Sequence, residues 1–374
     1  MSEQTLTYVV GTFLIQAEGA FLNGAGLGAG ADRNMTVPKT FSDFRDRVPY
    51  VSAQAWKRWL RETFQEENPD EPAAVLRPLL EGTRGQTTKI GTEMDPVMYA
   101  EDDIFGYMRA ERGQGRTALE EEPDEDDAEA APAPQRGERV AAVMRAAPFA
   151  ASILISLRKS GWEGTDEGFV HLKEGTPLPY STRFYNTQLQ GVFGLHYAHL
   201  GMFRNEGDRI ELDRSLVDKY LKEGKIRRVD AERNVYEIAE NPRKVRATEI
   251  LKALAVLRGG AKQAAFATDV APKAIVLAGL SCGNLIFNDL FEDTREGPTV
   301  KLAALQEIIA DYADRLMTPV FIGIRTEYLH ADSESALRAW VKAQEASMAR
   351  GEDVHKVVLT TPMQAIHQFV KVLP

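Results

Sequence analysis

Gln54, Lys57, Arg58 and Arg61 recur at helical spacing within residues 51–67, VSAQAWKRWLRETFQEE. At that spacing they share one face, so three cations lie beside the free N–H groups of a helix start, an arrangement that attracts phosphate. A solvated face balanced by Glu62, Glu66 and Glu67 would use the same residues. The second candidate is the run Arg258-Gly259-Gly260-Ala261-Lys262-Gln263. Its two glycines would let the backbone approach a phosphate or sugar that Arg258 and Lys262 neutralise. A helix C-cap followed by a turn would need the same glycines. Arg33, Asn34 and Lys39, with Arg45 and Arg47 beyond, form a third cationic patch that Asp43 and Asp46 partly cancel, and an ordinary surface loop explains it as well.

Other chemistry finds little support in the sequence. Cys282 is the single cysteine and has no histidine near it, which excludes an intramolecular disulfide and a cysteine-based zinc site built by one chain. Neither GxSxG nor GxxxxGK[ST] occurs. The six histidines, at 171, 196, 199, 330, 355 and 367, show no HExxH pattern. His196 and His199, taken as part of a strand, would point to opposite faces. The glycine-dense loop 18–30 has a spacing like that of a dinucleotide fingerprint, but no amphipathic helix follows it and Pro38 interrupts the next stretch. No metal and no cofactor is expected.

A formal net charge of −10 argues against a nucleic-acid partner until its distribution is considered. Residues 120–129, EEEPDEDDAE, carry eight of the acids, and setting them aside leaves the remainder near −2. A near-neutral body can still present a basic face. With 374 residues and 44% hydrophobic content, the chain can bury a large core. No apolar run is long enough to span a bilayer and MSEQTLTYVV lacks the order of a signal peptide, so a cytoplasmic protein without membrane contact is expected.

The elements that must hold these side chains follow from periodicity. Residues 5–17, TLTYVVGTFLIQA, predict a half-buried or central strand, and 51–67 a helix with Trp56, Trp59, Leu60, Thr63 and Phe64 inward. A low-hydrophobicity insertion at 68–139 contains one folded-looking island at 102–108, and a strand broken by Pro148 covers 142–157. A Gly/Pro-punctuated segment leads to a long strand at 183–203, a charged region runs to 246, and a helix spans about 248–257. A buried strand at 273–280 closes the series, followed by a helix at 301–316, a strand at 319–324 and a helix near 334–348. Strand, helix, strand, strand, helix, strand is the β-α-β-β-α-β order of an α+β, RRM-like or ferredoxin-like palm.

On GTFLIQAEGAFLNGAG, PYVSAQAWKRWLRETF, DDIFGYM, AAPFAAS, NTQLQGVFGL and LRGGAKQ, in that order, the sequence resembles the DevR family of CRISPR-associated proteins. This is the "Cas seven" group that forms the backbone of type I-B Cascade. The likeness covers most of the chain, although the 120–129 run and its Ala/Pro neighbour are longer and more acidic than it requires.

The resemblance implies a guide-RNA-binding subunit that oligomerises along the spacer in an antiviral DNA-targeting complex. Its partners would be guide RNA, the target DNA strand paired to it, further copies of itself and other Cascade subunits. It further implies one elaborated palm over 1–374 with large inserted finger and thumb loops. The finger region would be 68–139, including a disordered acidic segment at 111–139. The candidate thumb is 159–182, with Trp162, Phe169 and Leu172 as wedges that splay bases, and 281–374 would be an extension packed on the palm. Such a subunit holds RNA through phosphates and shape. Asp32 is the one catalytic candidate, because related type III backbone subunits cut target RNA with an aspartate in such a loop. A surface ion partner or turn residue is the simpler reading of Asp32 beside Arg33, and the expectation is a protein that is not an enzyme.

Overall fold

The computed structural model describes residues 5–30, 33–73, 75–76, 91–109, 143–170, 175, 178–207 and 209–374. The chain divides into two compact units, one made of residues 1–72, 148–200 and 242–374, the other of 73–147 and 201–241.

The first unit is built on a strand buried along nearly its whole length, β1 (Tyr8–Ala20). Two further strands, β2 (Thr40–Asp43) and β3 (Asp46–Val51), form a hairpin that leads into helix α1 (Ala53–Glu67). The sheet continues with β4 (Leu154–Ser156), β5 (Glu163–Val170) and the 18-residue β6 (Leu178–Leu195). Helix α2 (Arg243–Ala255) precedes β7 (Ala274–Leu280), and β8 (Val320–Ile324) and β9 (Val357–Thr360) extend the edge. The path across the sheet is β9-β8-β7-β1-β6-β4-β3-β2.

Within that path β7, β1, β6 and β4 are the fourth, first, third and second strands of the β-α-β-β-α-β series. This interleaving is the RRM-like, ferredoxin-like palm. Each of the four runs antiparallel to its neighbour, with Leu14 opposite Gln190, Thr12 opposite Val276 and Ile155 opposite Gln190. Period-two alternation sends β1 side chains to both faces. Phe13 meets Trp56 of α1 edge to face at 5.5 Å. Val10 and Leu14 join an apolar cluster on the other face with Phe287, Leu305, Leu337 and Val341 from the chain after β7. Burial on two sides explains why the strand reads as a nearly continuous apolar run.

The helix face expected from the sequence is present, since Trp56, Trp59, Leu60, Thr63 and Phe64 are all buried. Other expectations change. The long strand ends at Leu195, and a 3-10 turn at Tyr197–His199 follows. His196 and His199 therefore do not alternate across a sheet; their rings stack at 5.2 Å, and His196 stacks on Tyr8 at 4.2 Å. The segment expected as punctuated loop before residue 183 forms β5 and the start of β6, paired from Glu163 opposite Tyr185 to Val170 opposite Leu178. The helix Pro362–Phe369 and strand β9 were not anticipated.

The second unit gathers short strands, including Tyr107–Arg109, Val143–Arg145, Met202–Glu206 and Val235–Ile238, with helices Ala100–Phe105 and Arg214–Lys222. Most of the charged region expected between 205 and 246, up to residue 241, is folded here around Phe203, Leu212, Tyr220, Ile226 and Tyr236, and its last residues begin α2. Its polar centre is Arg145, fully buried and ion-paired to the equally buried Asp103. The guanidinium also donates to the Met202 carbonyl at 2.8 Å, lies 3.5 Å from Glu211 and sits over the Phe203 ring at 4.8 Å. Asp103 in turn accepts from the Gly201 N–H at 2.9 Å. Removing one partner of a buried pair strands the other charge, at a cost of about 3–5 kcal/mol. Asp103→Ala is therefore expected to lower stability by about that amount in urea unfolding. A loss below about 1 kcal/mol would show that the remaining partners of Arg145, Glu211 among them, satisfy its charge.

Candidate nucleic-acid interface

Leu22 and Asn23, just past the end of β1, tie together segments far apart in sequence. The buried Leu22 N–H donates to the Tyr185 hydroxyl at 3.0 Å, and the Leu22 carbonyl accepts from Ala261 N–H at 2.9 Å. Asn23 Oδ1 accepts from the Ser52 N–H at 3.1 Å, and its carbonyl accepts from Lys39 N–H at 2.9 Å. Burial raises the Tyr185 phenol well above its ordinary pKa, so it stays a neutral donor and acceptor. One dipeptide thus connects the start of α1, the 258–263 loop and the Lys39 segment, the three candidate surfaces.

Ser52 occupies the N-cap position of α1 without a side-chain cap, and the first turn holds no acidic residue. Gln54 and Arg58 are exposed, while Lys57 and Arg61 are half-buried. Arg58 pairs with Glu62 one turn on, at 3.0 Å. Partial burial, with the charge of Arg61 adding to it, pushes the Lys57 ammonium below its ordinary pKa. Loss of hydration disfavours the charged form here, and an anion held beside Lys57 would favour it.

The 258–263 loop has a different character from that of the helix face. Arg258 holds Glu66 at 2.9 Å and also pairs with Glu67, both on the last turn of α1, and the bond to Glu67 leads the causes that raise its pKa. Its backbone N–H donates to Thr63 Oγ1 at 3.0 Å. Gly259 has φ +144°, and a Cβ there would lie 2.3 Å from the Trp59 ring. Gly260 has φ +108°, and its Cβ would meet Leu22 at 2.5 Å. The close approach that these glycines permit is thus to α1 and to the Leu22 turn. Lys262 adopts a left-handed conformation, reaches Thr182 Oγ1 at 2.6 Å and lies over the Phe21 ring at 5.1 Å. Gln263 donates back to the Gly259 carbonyl.

In the third patch Arg33 and Asn34 are exposed, and Lys39 and Arg47 line a cavity with Arg183 of β6, which sequence reasoning missed. Arg45 lies at the β2–β3 turn beside Phe44, whose side chain is fully exposed at φ 53°. Lys159 clamps this turn through Asp43 at 2.6 Å. Trp162, expected as a wedge, is 6% exposed, and its indole N–H donates to the Arg47 carbonyl at 2.8 Å. Phe169 is 65% exposed on β5. Asp32, Leu172 and the 120–129 run lie outside the described residues. Among the described residues, no three His, Cys, Asp or Glu side chains gather as a metal site, and no helix is long and apolar enough to cross a membrane.

No protein-family model matches this sequence, and no curated protein matches it either. Solved structures do. A chain of a CRISPR RNA-guided surveillance complex described as pre-nicking matches with a TM-score of 0.50 at 11% identity, over 98% of this chain and 100% of that one. A chain of another CRISPR RNA-guided surveillance complex gives 0.45 at 12% identity, over 98% and 99%. A chain of a type III-B Cmr-beta complex bound to cognate target RNA gives 0.28 at 11% identity, over 52% and 49%. At these identities the likeness is one of fold, and the palm described above is shared with the first of these chains along its whole length.

Proposed function

We propose that this chain is a guide-RNA-binding backbone subunit of a CRISPR surveillance complex, of the Cas seven type. The observation that carries the reading is the α1 face: three cations, no acid in the first turn, and a lysine whose pKa is depressed by burial and by Arg61. Its setting on a palm shared in full length with a chain of such a complex supports the same reading. Phosphate held without regard to base identity is what such a surface offers. Lys39, Lys262 and Gln263 extend the track, while Arg258, paired with Glu66 and Glu67, acts chiefly by fixing the loop to α1.

The finer reading is a type I-B, DevR-like subunit in the cytoplasm. Several copies would line one guide, beside other Cascade subunits, and would present that guide to a target DNA strand. The chain holds nucleic acid and leaves cutting to another protein.

Replacing Lys57, Arg58 and Arg61 together with alanine is expected to weaken guide-RNA binding at least tenfold. The slope of log affinity against log salt should shrink by about 2, since each single-strand phosphate contact contributes about 0.7. An unchanged slope in a salt titration of the folded triple variant would remove the helix face from the interface.

Incubation with complementary RNA and Mg²⁺ is expected to leave that RNA intact. Cleavage that Asp32→Ala abolishes would instead place the chain with the type III-like backbone subunits that cut target RNA.

A further inference from the structure

The cavity shared by Lys39, Arg47 and Arg183 has a volume of about 380 Å³, within the range of small-molecule sites. Three separate stretches of the first unit bring its cations together: the link before β2, strand β3 and strand β6. Glu163 is the one carboxylate in the lining, 3.4 Å from Arg183 Nε, so the lining retains a positive surplus. Tyr50 and Trp162 supply aromatic walls. The Trp162 indole is fixed by its bond to the Arg47 carbonyl, and Phe41 packs against Tyr50 at 6.0 Å. The walls are therefore positioned before any ligand arrives.

Cations alone would suit any anion. Cations with aromatic walls and one acceptor carboxylate suit a narrower class, because a nucleotide joins a phosphate to a flat ring with donors on its edge. We infer that this cavity takes one nucleotide of a single strand, its base against Tyr50 and Trp162 and its phosphate on the surrounding cations. Glu163 accepts from an exocyclic amino group, so cytosine, adenine and guanine are preferred over uracil. A chain that holds a strand mainly through phosphates thereby gains a base preference at one position. The inference rests on the nucleic-acid reading for its ligand class and on the cavity for its location.

The test is calorimetric titration of the full chain, freed of RNA by high salt and returned to low salt, with 5′-CMP, 5′-UMP and inorganic phosphate. CMP should bind at least tenfold more tightly than phosphate and severalfold more tightly than UMP. The double change Arg47→Ala and Arg183→Ala should weaken CMP binding at least tenfold. If that variant fails to fold, Tyr50→Leu serves: CMP binding should fall while phosphate binding holds. The Lys57, Arg58 and Arg61 triple variant should bind CMP as the unaltered chain does, even if it has lost RNA. Phosphate binding as tightly as CMP would overturn the inference, as would CMP binding that survives both cavity changes or disappears only in the α1 triple variant. Loss of guide RNA by the α1 variant with no CMP site would leave the proposed function standing and this inference refuted.

Discussion

The hydrogen bonds of Leu22 and Asn23 are the constraint on which the candidate surface depends. Four segments distant in sequence, at Lys39, Ser52, Tyr185 and Ala261, are joined through two residues at the end of the central strand. Each bond is worth only about 1 kcal/mol net, but a buried donor left without its acceptor costs more than the bond contributed. That asymmetry fixes where the helix starts, where the glycine loop returns and where the Lys39 segment runs. The glycines at 259 and 260 belong to the same constraint, since any Cβ there would strike Trp59 or Leu22. Packing thus ties the start of α1 and the 258–263 loop to the same dipeptide, and the loop lies against Trp59, Thr63, Glu66 and Glu67 of the helix.

The electrostatics of the chain are local. Its net charge of −10 has the wrong sign for a nucleic-acid partner, yet eight of the acids lie in residues 120–129. On α1 the acids sit late, at Glu62, Glu66 and Glu67, and the structure gives each of the three a cation: Arg58 for the first, Arg258 for the other two. Lys57 is half-buried, and burial first, with the nearby charge of Arg61 second, shifts its pKa downward. A group whose folded pKa lies below its unfolded value opposes folding while it is protonated, and this penalty fades as pH rises toward the unfolded value.

Most of the palm was legible in the sequence because β1, β6, β7 and its two helices are long enough to show their periods; β4, with three residues, is not. The apolar stripe of α1 and the all-buried β7 are examples. Of the second unit only the island at 102–108 was legible, because its strands are two to five residues long and its core residues are separated by charged ones, so neither period develops. Arg258 was read as a phosphate ligand because the sequence places it beside two glycines; it does not show that Glu66 and Glu67 come to meet it. Trp162 was read as an exposed wedge, although a buried indole needs an acceptor and finds one at Arg47. Nothing in sequence links Arg183 to its neighbours in the cavity, Lys39 and Arg47, because α1, much of the second unit, β4 and β5 lie between them.

The central claim is that this palm holds guide RNA through local cationic surfaces despite its acidic total. The most direct measurement is the nucleic acid that accompanies the chain when it is purified with its operon products at low salt. The account predicts a high ratio of absorbance at 260 to 280 nm, RNA of one discrete guide length, and release of that RNA as salt is raised. A monodisperse small oligomer free of RNA at low salt would contradict it.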